Sequence, residues 1–234
     1  MTTEVQTKTP GQEGQTAVAH REAAEMGHIA RVSRQPSFRV STLLFVLAAA
    51  LLVTSTFFPY WKMRLNAPQY PQGLYIVVYV DRMEGDIREI DGLNHYIGMK
   101  PLEEAAQLER TLAPIAIAVM ALFIVGVAFI HSKWFAVLAI PVMLFPVIFL
   151  LDMFVWLYYY GHSLDPRAPL SSSIQPFTPP VLGTGTVGQF STTATLQVGW
   201  YMALAAAILT AIGLHYRRAA RLAAERQAQG TDNG

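Results

Sequence analysis

The stretch FRVSTLLFVLAAALLVTSTFFPYW, residues 38–61, decides the fold class. After Arg39 it carries no charged side chain. About twenty apolar residues, rising ~1.5 Å each in a helix, cross the ~30 Å hydrocarbon core of a bilayer. The stretch closes on Phe57, Phe58, Tyr60 and Trp61, the aromatic belt of a membrane–water interface. A cleavable signal peptide is the rival reading. It is disfavoured because the apolar core begins near residue 40, is too long, and leaves without a small-x-small cleavage site.

Reading outward, three further runs have the same character. They cover residues 111–130, 134–158 and 198–215, and His131, Ser132 and Lys133 alone join the first two. So short a joint implies an antiparallel helical hairpin. Of the 234 residues, 53% are hydrophobic and only 14% charged, well below the ~25% of soluble domains. The expected fold class is therefore an all-α membrane protein. It is a four-helix transmembrane bundle with two structured extracytoplasmic loops, 62–110 and 161–197, the first holding a short β-hairpin.

Three regions follow: a tail at 1–37, the four-span domain at 38–216 and a basic tail at 217–234. The start of the chain is rich in Thr, Gln and Gly, which predicts disorder. Ala17 to Arg34 has the pattern of an amphipathic helix that would set Arg21, Arg31 and Arg34 against lipid headgroups. Basic residues fix the expected orientation. Arg31, Arg34 and Arg39 precede the first span, Lys133 lies in the joint, and Arg217, Arg218, Arg221 and Arg226 follow the fourth. The 62–110 loop holds six basic residues but also eight acids, and the 161–197 loop holds only Arg167. Both termini are then cytoplasmic, in a multi-pass protein of the plasma (inner) membrane, and both loops face outward.

Cysteine is absent. That excludes disulfides, thiolate zinc sites, iron–sulfur ligation and a cysteine nucleophile. No phosphate loop, nucleophile elbow or zincin pattern is present, and no basic stripe points to nucleic acid. The partner read from composition is the lipid bilayer, and the chain reads as no enzyme.

Within the first loop, Leu74 to Val80 reads as a strand, Ile87 to Ile90 as a second strand, and Pro101 to Arg110 as a short helix. The second loop is rich in Pro, Gly and Ser and reads as extended. GLNHYIGMKP, residues 92–101, places His95 and Met99 four apart. One helical turn would put them on one face, although Gly92 and Gly98 argue against a longer helix. Imidazole with thioether suits copper, especially Cu(I), and Met63 and Met83 could add sulfur. The plainer reading is a packed turn.

Asp152 lies in the outer half of the third span, where an ionisable group is costly unless it meets a cavity or partner. A hydrogen bond that fixes the bundle is the alternative. Pro141 and Pro146 are expected to kink that span and open space for it. In YYYGHSLDPRAP, His162 and Asp165 stand three apart, either sharing a metal or forming a turn before Pro166. His131 and His215 read as interfacial caps.

The strings APQYPQGL (67–74), DGLNHYIGMK (91–100), YYYGHSLDP (158–166) and PPVLG (179–183), in that order, resemble a family of small multi-span bacterial membrane proteins. Its genes lie among the accessory genes of nitrous oxide reductase, the nos cluster. The resemblance spans residues 38–215. It implies a membrane accessory role in denitrification, assisting copper handling or maturation of an extracytoplasmic copper enzyme such as nitrous oxide reductase. Partners would be nos-cluster copper-delivery or transporter proteins. The candidate copper-binding set is His95, Met99, His162 and Asp165, with Asp152 in support. The alternative is a scaffold or accessory subunit of a membrane complex with structural histidines.

Overall fold

A computed structural model describes residues 18, 26, 27, 36–129, 133–170, 173–187 and 190–232. Apart from residues 18, 26 and 27, the expected amphipathic helix at 17–34 lies outside them, as do His131 and Ser132. Five α-helices are present among the described residues: α1 Pro36–Ser55, α2 Ile87–Ile97, α3 Gln107–Phe129, α4 Ile140–His162 and α5 Val198–Asp232. Four segments are long and apolar enough to cross a membrane: Pro36–Ser55, Gln107–Phe129, Ala136–His162 and Val198–Gln227.

The expected class needs one correction, because the protein is not all-α. Five strands, β1 Trp61–Ala67, β2 Tyr70–Val78, β3 Met83–Gly85, β4 Gly183–Val187 and β5 Phe190–Leu196, form one antiparallel sheet in the order β3-β2-β1-β5-β4. The loop between the first two spans supplies three strands and the loop between the last two supplies the others. β1 joins them, pairing with β2 on one side and β5 on the other.

The register follows side-chain alternation, since successive residues of a strand face opposite sides. Met63 stands between Ile76 and Ala194, and Leu65 between Leu74 and Thr192. Trp61, Met63, Leu74, Ile76 and Ala194 are buried in one cluster with Ile90, against which Phe149, Met153 and Leu157 of α4 pack. The opposite face carries Lys62, Arg64 and Tyr75, with Lys62 Nζ 4.4 Å from the Tyr75 ring centre. One sheet face thus rests on a membrane-crossing helix.

Several boundaries differ from the sequence-based expectation. α1 ends at Ser55, and Trp61, expected to close the first span, begins β1. Residues 87–90 are helical rather than a strand, because α2 buries Ile90 and Asn94 on one face. That is the i, i+4 spacing of a helix docked by one side. Gly92 lies inside this helix, and Gly98, at φ 81°, caps its end, where the missing Cβ permits the left-handed conformation. Pro141 sits in the first turn of α4 after a 3₁₀ stretch, Lys133–Ala139. There it needs no kink, since its missing N–H falls among the unpaired donors of a helix start.

α5 runs to Asp232, well past His215, so the expected basic tail is largely helix. Its Ala-, Arg- and Glu-rich sequence consists of strong helix formers. The described chain divides into two compact units, residues 1–43 with 212–234 and residues 44–211. In the first, Ser41 Oγ donates to the Gly213 carbonyl at 2.8 Å. Phe38 there packs on Ala220 and Ala224, and the Arg217 guanidinium lies 4.3 Å from the Phe38 ring centre. The sheet, α2, α3 and α4 belong to the second unit.

Candidate functional site

Three of the four quoted strings, at 91–100, 158–166 and 179–183, meet in the second unit. The Asp165 amide donates to the Gly98 carbonyl at 2.8 Å, and the Leu170 amide to the Tyr96 carbonyl at 3.0 Å. Tyr160 Oη donates to the Pro101 carbonyl at 3.0 Å, and Lys100 Nζ to Tyr159 Oη at 2.5 Å. From the other direction, Trp61 Nε1 donates to the Val181 carbonyl at 2.6 Å, tying β1 to the PPVLG string. The Phe177 amide donates to the Gly161 carbonyl at 3.1 Å, and a Cβ at Gly161 would collide with the Phe177 carbonyl oxygen. Half of these joints run from backbone to backbone, two of them at glycine, where close approach is what they require.

The turn after α2 is held by side chains as well. Asp91 Oδ1 accepts from the Leu102 amide at 2.7 Å. On the β2 side, Asp86 Oδ2 accepts from the Tyr75 amide and the Asp86 amide donates back to the Tyr75 carbonyl, both at 2.8 Å. This reciprocal pair fixes where β3 ends and α2 begins.

Between the sheet, α2, α3 and α4 lies a cavity of about 580 Å³. Its walls are almost wholly apolar, from Trp61, Met63 and Ile76 on the sheet to Phe145, Phe149 and Trp156 on α4. Three charged residues reach it: Glu109 and Arg110 at the start of α3, and Asp152 of α4. Arg110 Nη2 donates to the Glu103 carbonyl at 2.8 Å, while its Nε is buried without a hydrogen-bond partner. Sequence reasoning found Asp152 but missed Glu109 and Arg110. Their signal was a charge pair set within the first turn of an apolar helix, where either group is costly unless used.

The candidate metal residues differ in whether they line this cavity. Met99 is half-buried and lines the cavity, as do Asp152, Met63 and Met83. His95 is exposed on α2, edge-on to Tyr96 with ring centres 6.2 Å apart. His162 is also exposed, stacked on Tyr158 at 4.0 Å, with Nδ1 2.9 Å from the Tyr158 carbonyl oxygen. Asp165 accepts from the Arg167 amide at 2.9 Å in a tight turn, the role Asp takes before a turn proline. None of His95, His162 and Asp165 is among the residues lining the cavity. Among the described residues, no three His, Asp or Glu side chains gather as a metal-holding group.

Tyr60, just past α1, is fully buried, and its hydroxyl lies 2.7 Å from Ser55 Oγ. Burial pushes its phenol up to about 12, opposed by the Ser55 hydrogen bond. Its ring meets Phe149 at 5.1 Å, so it is a fixed post between the first span and α4. No protein-family model and no curated protein matches the chain.

Proposed function

We propose that the chain is a non-enzymatic accessory protein of the bacterial inner membrane, with both termini cytoplasmic, acting as a scaffold on the outer face. Its client is an extracytoplasmic enzyme complex, and the resemblance points to a copper enzyme such as nitrous oxide reductase. The observation that carries this reading is the fusion of both inter-span loops into one sheet. Two loops that served only as connectors would have no need of shared strands. The exposed histidines are engaged locally, with His162 held to its own helix.

The test is nitrous oxide reductase copper content and activity in cells that lack the chain or carry variants. Deletion is expected to lower both. His95→Ala with His162→Ala is expected to restore them, and Gly98→Asp, which breaks the joint between the loops, is expected to fail. An enzyme unchanged by deletion would remove the proposal.

A second reading, direct copper handling, draws on a different observation. Met63, Met83 and Met99 share the cavity with Asp152, and thioethers are donors suited to Cu(I). His95 and His162 do not line the cavity, so at this site the reading rests on sulfur. Titration of the purified chain with Cu(I) decides it. Stoichiometric binding lost on replacing the three methionines by Leu selects it, and absence of binding rejects it.

A further inference from the structure

The cavity between α3 and α4 is too large and too apolar to stand empty or hold water. A void of about 580 Å³ falls within the ~300–1,000 Å³ of ligand pockets. Left unfilled and sealed, a void of this size would cost an amount comparable with a domain's whole stability margin. Water needs several polar partners, which walls this apolar supply in few places.

Its shape follows α4. Pro141, Phe145, Phe149, Asp152, Trp156 and Tyr160 all line it, a stripe at helical spacing that runs ~28 Å along the axis. Leu108 and Leu112 of α3 and Ile148 of α4 line the same space, yet are 67%, 48% and 51% exposed. The cavity therefore opens sideways, between two helices apolar enough to lie in lipid. What reaches that opening is a hydrocarbon chain.

The polar groups define the head of such a ligand. Two carboxylates and one guanidinium share the cavity, an arrangement with one excess negative charge. It complements one ammonium and one phosphate, and it repels a head that carries phosphate alone. The buried Arg110 Nε without an acceptor is a donor that a phosphate oxygen satisfies.

We propose that this cavity is a binding site for a bilayer phospholipid with an ethanolamine-type head, one acyl chain lying between α3 and α4. The ammonium meets Glu109 and Asp152, and the phosphate meets Arg110. The site is independent of the scaffold role and stands or falls without it.

The test is native mass spectrometry of the full chain, released from nanodiscs that contain equal amounts of phosphatidylethanolamine and phosphatidylglycerol. One retained phosphatidylethanolamine per chain is expected, preferred over phosphatidylglycerol by about tenfold, the effect of one well-placed charge contact in a low-dielectric site. Ala116→Phe, which fills the cleft, is expected to abolish retention. Because that variant can also fail to fold, Asp152→Asn is measured beside it. Nearly isosteric, it is expected to keep a bound lipid but to lose most of the head preference. Equal retention of the two lipids by the wild type, no retained lipid, or a preference unchanged in Asp152→Asn would each overturn the proposal.

Discussion

The amide of Asp165 hydrogen-bonds to the carbonyl of Gly98 across 2.8 Å, and this contact couples the turn after α4 to the cap of α2. A Cβ at Gly98 would stand 2.6 Å from the Asp165 carbonyl oxygen, at a backbone φ of +81°. Both the conformation and the space demand glycine. Gly98→Ala is expected to destabilise the protein by about 2 kcal/mol or more, adding left-handed strain to displacement of the joint. Hydrogen exchange at the Asp165 and Leu170 amides should accelerate first. Gly92→Ala is the control, since it meets nothing within 4 Å and lies inside α2. It should be neutral or stabilise by about 0.5–1 kcal/mol.

Tyr60 sets an alkaline limit on stability. Its phenol is raised from 10.0 to about 12 by burial, so the folded chain keeps a proton that the unfolded chain loses above pH 10. The unfolded state then binds fewer protons, and stability falls as pH rises from about 10 to 12. The loss amounts to roughly 2–3 kcal/mol for a shift of this size. Unfolding measured in detergent across this window should show the fall, and Tyr60→Phe should flatten it. At neutral pH the same substitution costs about 1 kcal/mol, the net worth of the bond with Ser55.

The spans were legible because each is a local run whose composition alone carries the signal. A strand in the first loop was legible too, Leu74 to Val80 overlapping β2, but the five-stranded sheet was not, because β1 pairs with β5 across two membrane-crossing helices, Trp61 opposite Leu196. Nothing near WKMRLNA announces so distant a partner, and its first residue passed for the end of an aromatic belt. IREI read as a strand because isoleucine favours both sheet and buried helix faces, and Gly92 hid the continuing helical period. Met99 and Asp152, singled out in the sequence as a candidate metal ligand and its support, both line the cavity. That His95 and His162 do not line it with them depends on how α2 and α4 pack, which no spacing rule encodes.

The histidines give a direct check on the metal set. His95 is exposed, and among the described residues His162 is held by stacking on Tyr158 and by its own helix. His95→Ala should shift the unfolding free energy by no more than about 0.5 kcal/mol, as for an ordinary surface position. His162→Ala should cost somewhat more, about 0.5–1 kcal/mol, through the lost ring contact. If either lowers Cu(I) binding by the purified chain, imidazole ligation returns and the sulfur-based reading loses its ground.

Trp61 offers the sharpest test of how the two loops are joined. It is 2% exposed, and its Nε1 reaches the Val181 carbonyl at 2.6 Å, so the indole both fills the sheet's core and holds the entry to β4. Trp61→Phe keeps an aromatic ring but removes the only donor of that side chain. Val181 is then left with an acceptor in a half-buried site, at a cost of about 1–3 kcal/mol. Because β4 is an edge strand, paired only with β5, the loss should appear locally before it appears globally. Limited proteolysis is expected to cut between residues 179 and 187 in the variant, under conditions where the wild type stays whole. Cleavage first within α2 or β2 would mean that the indole supports the core and not the joint.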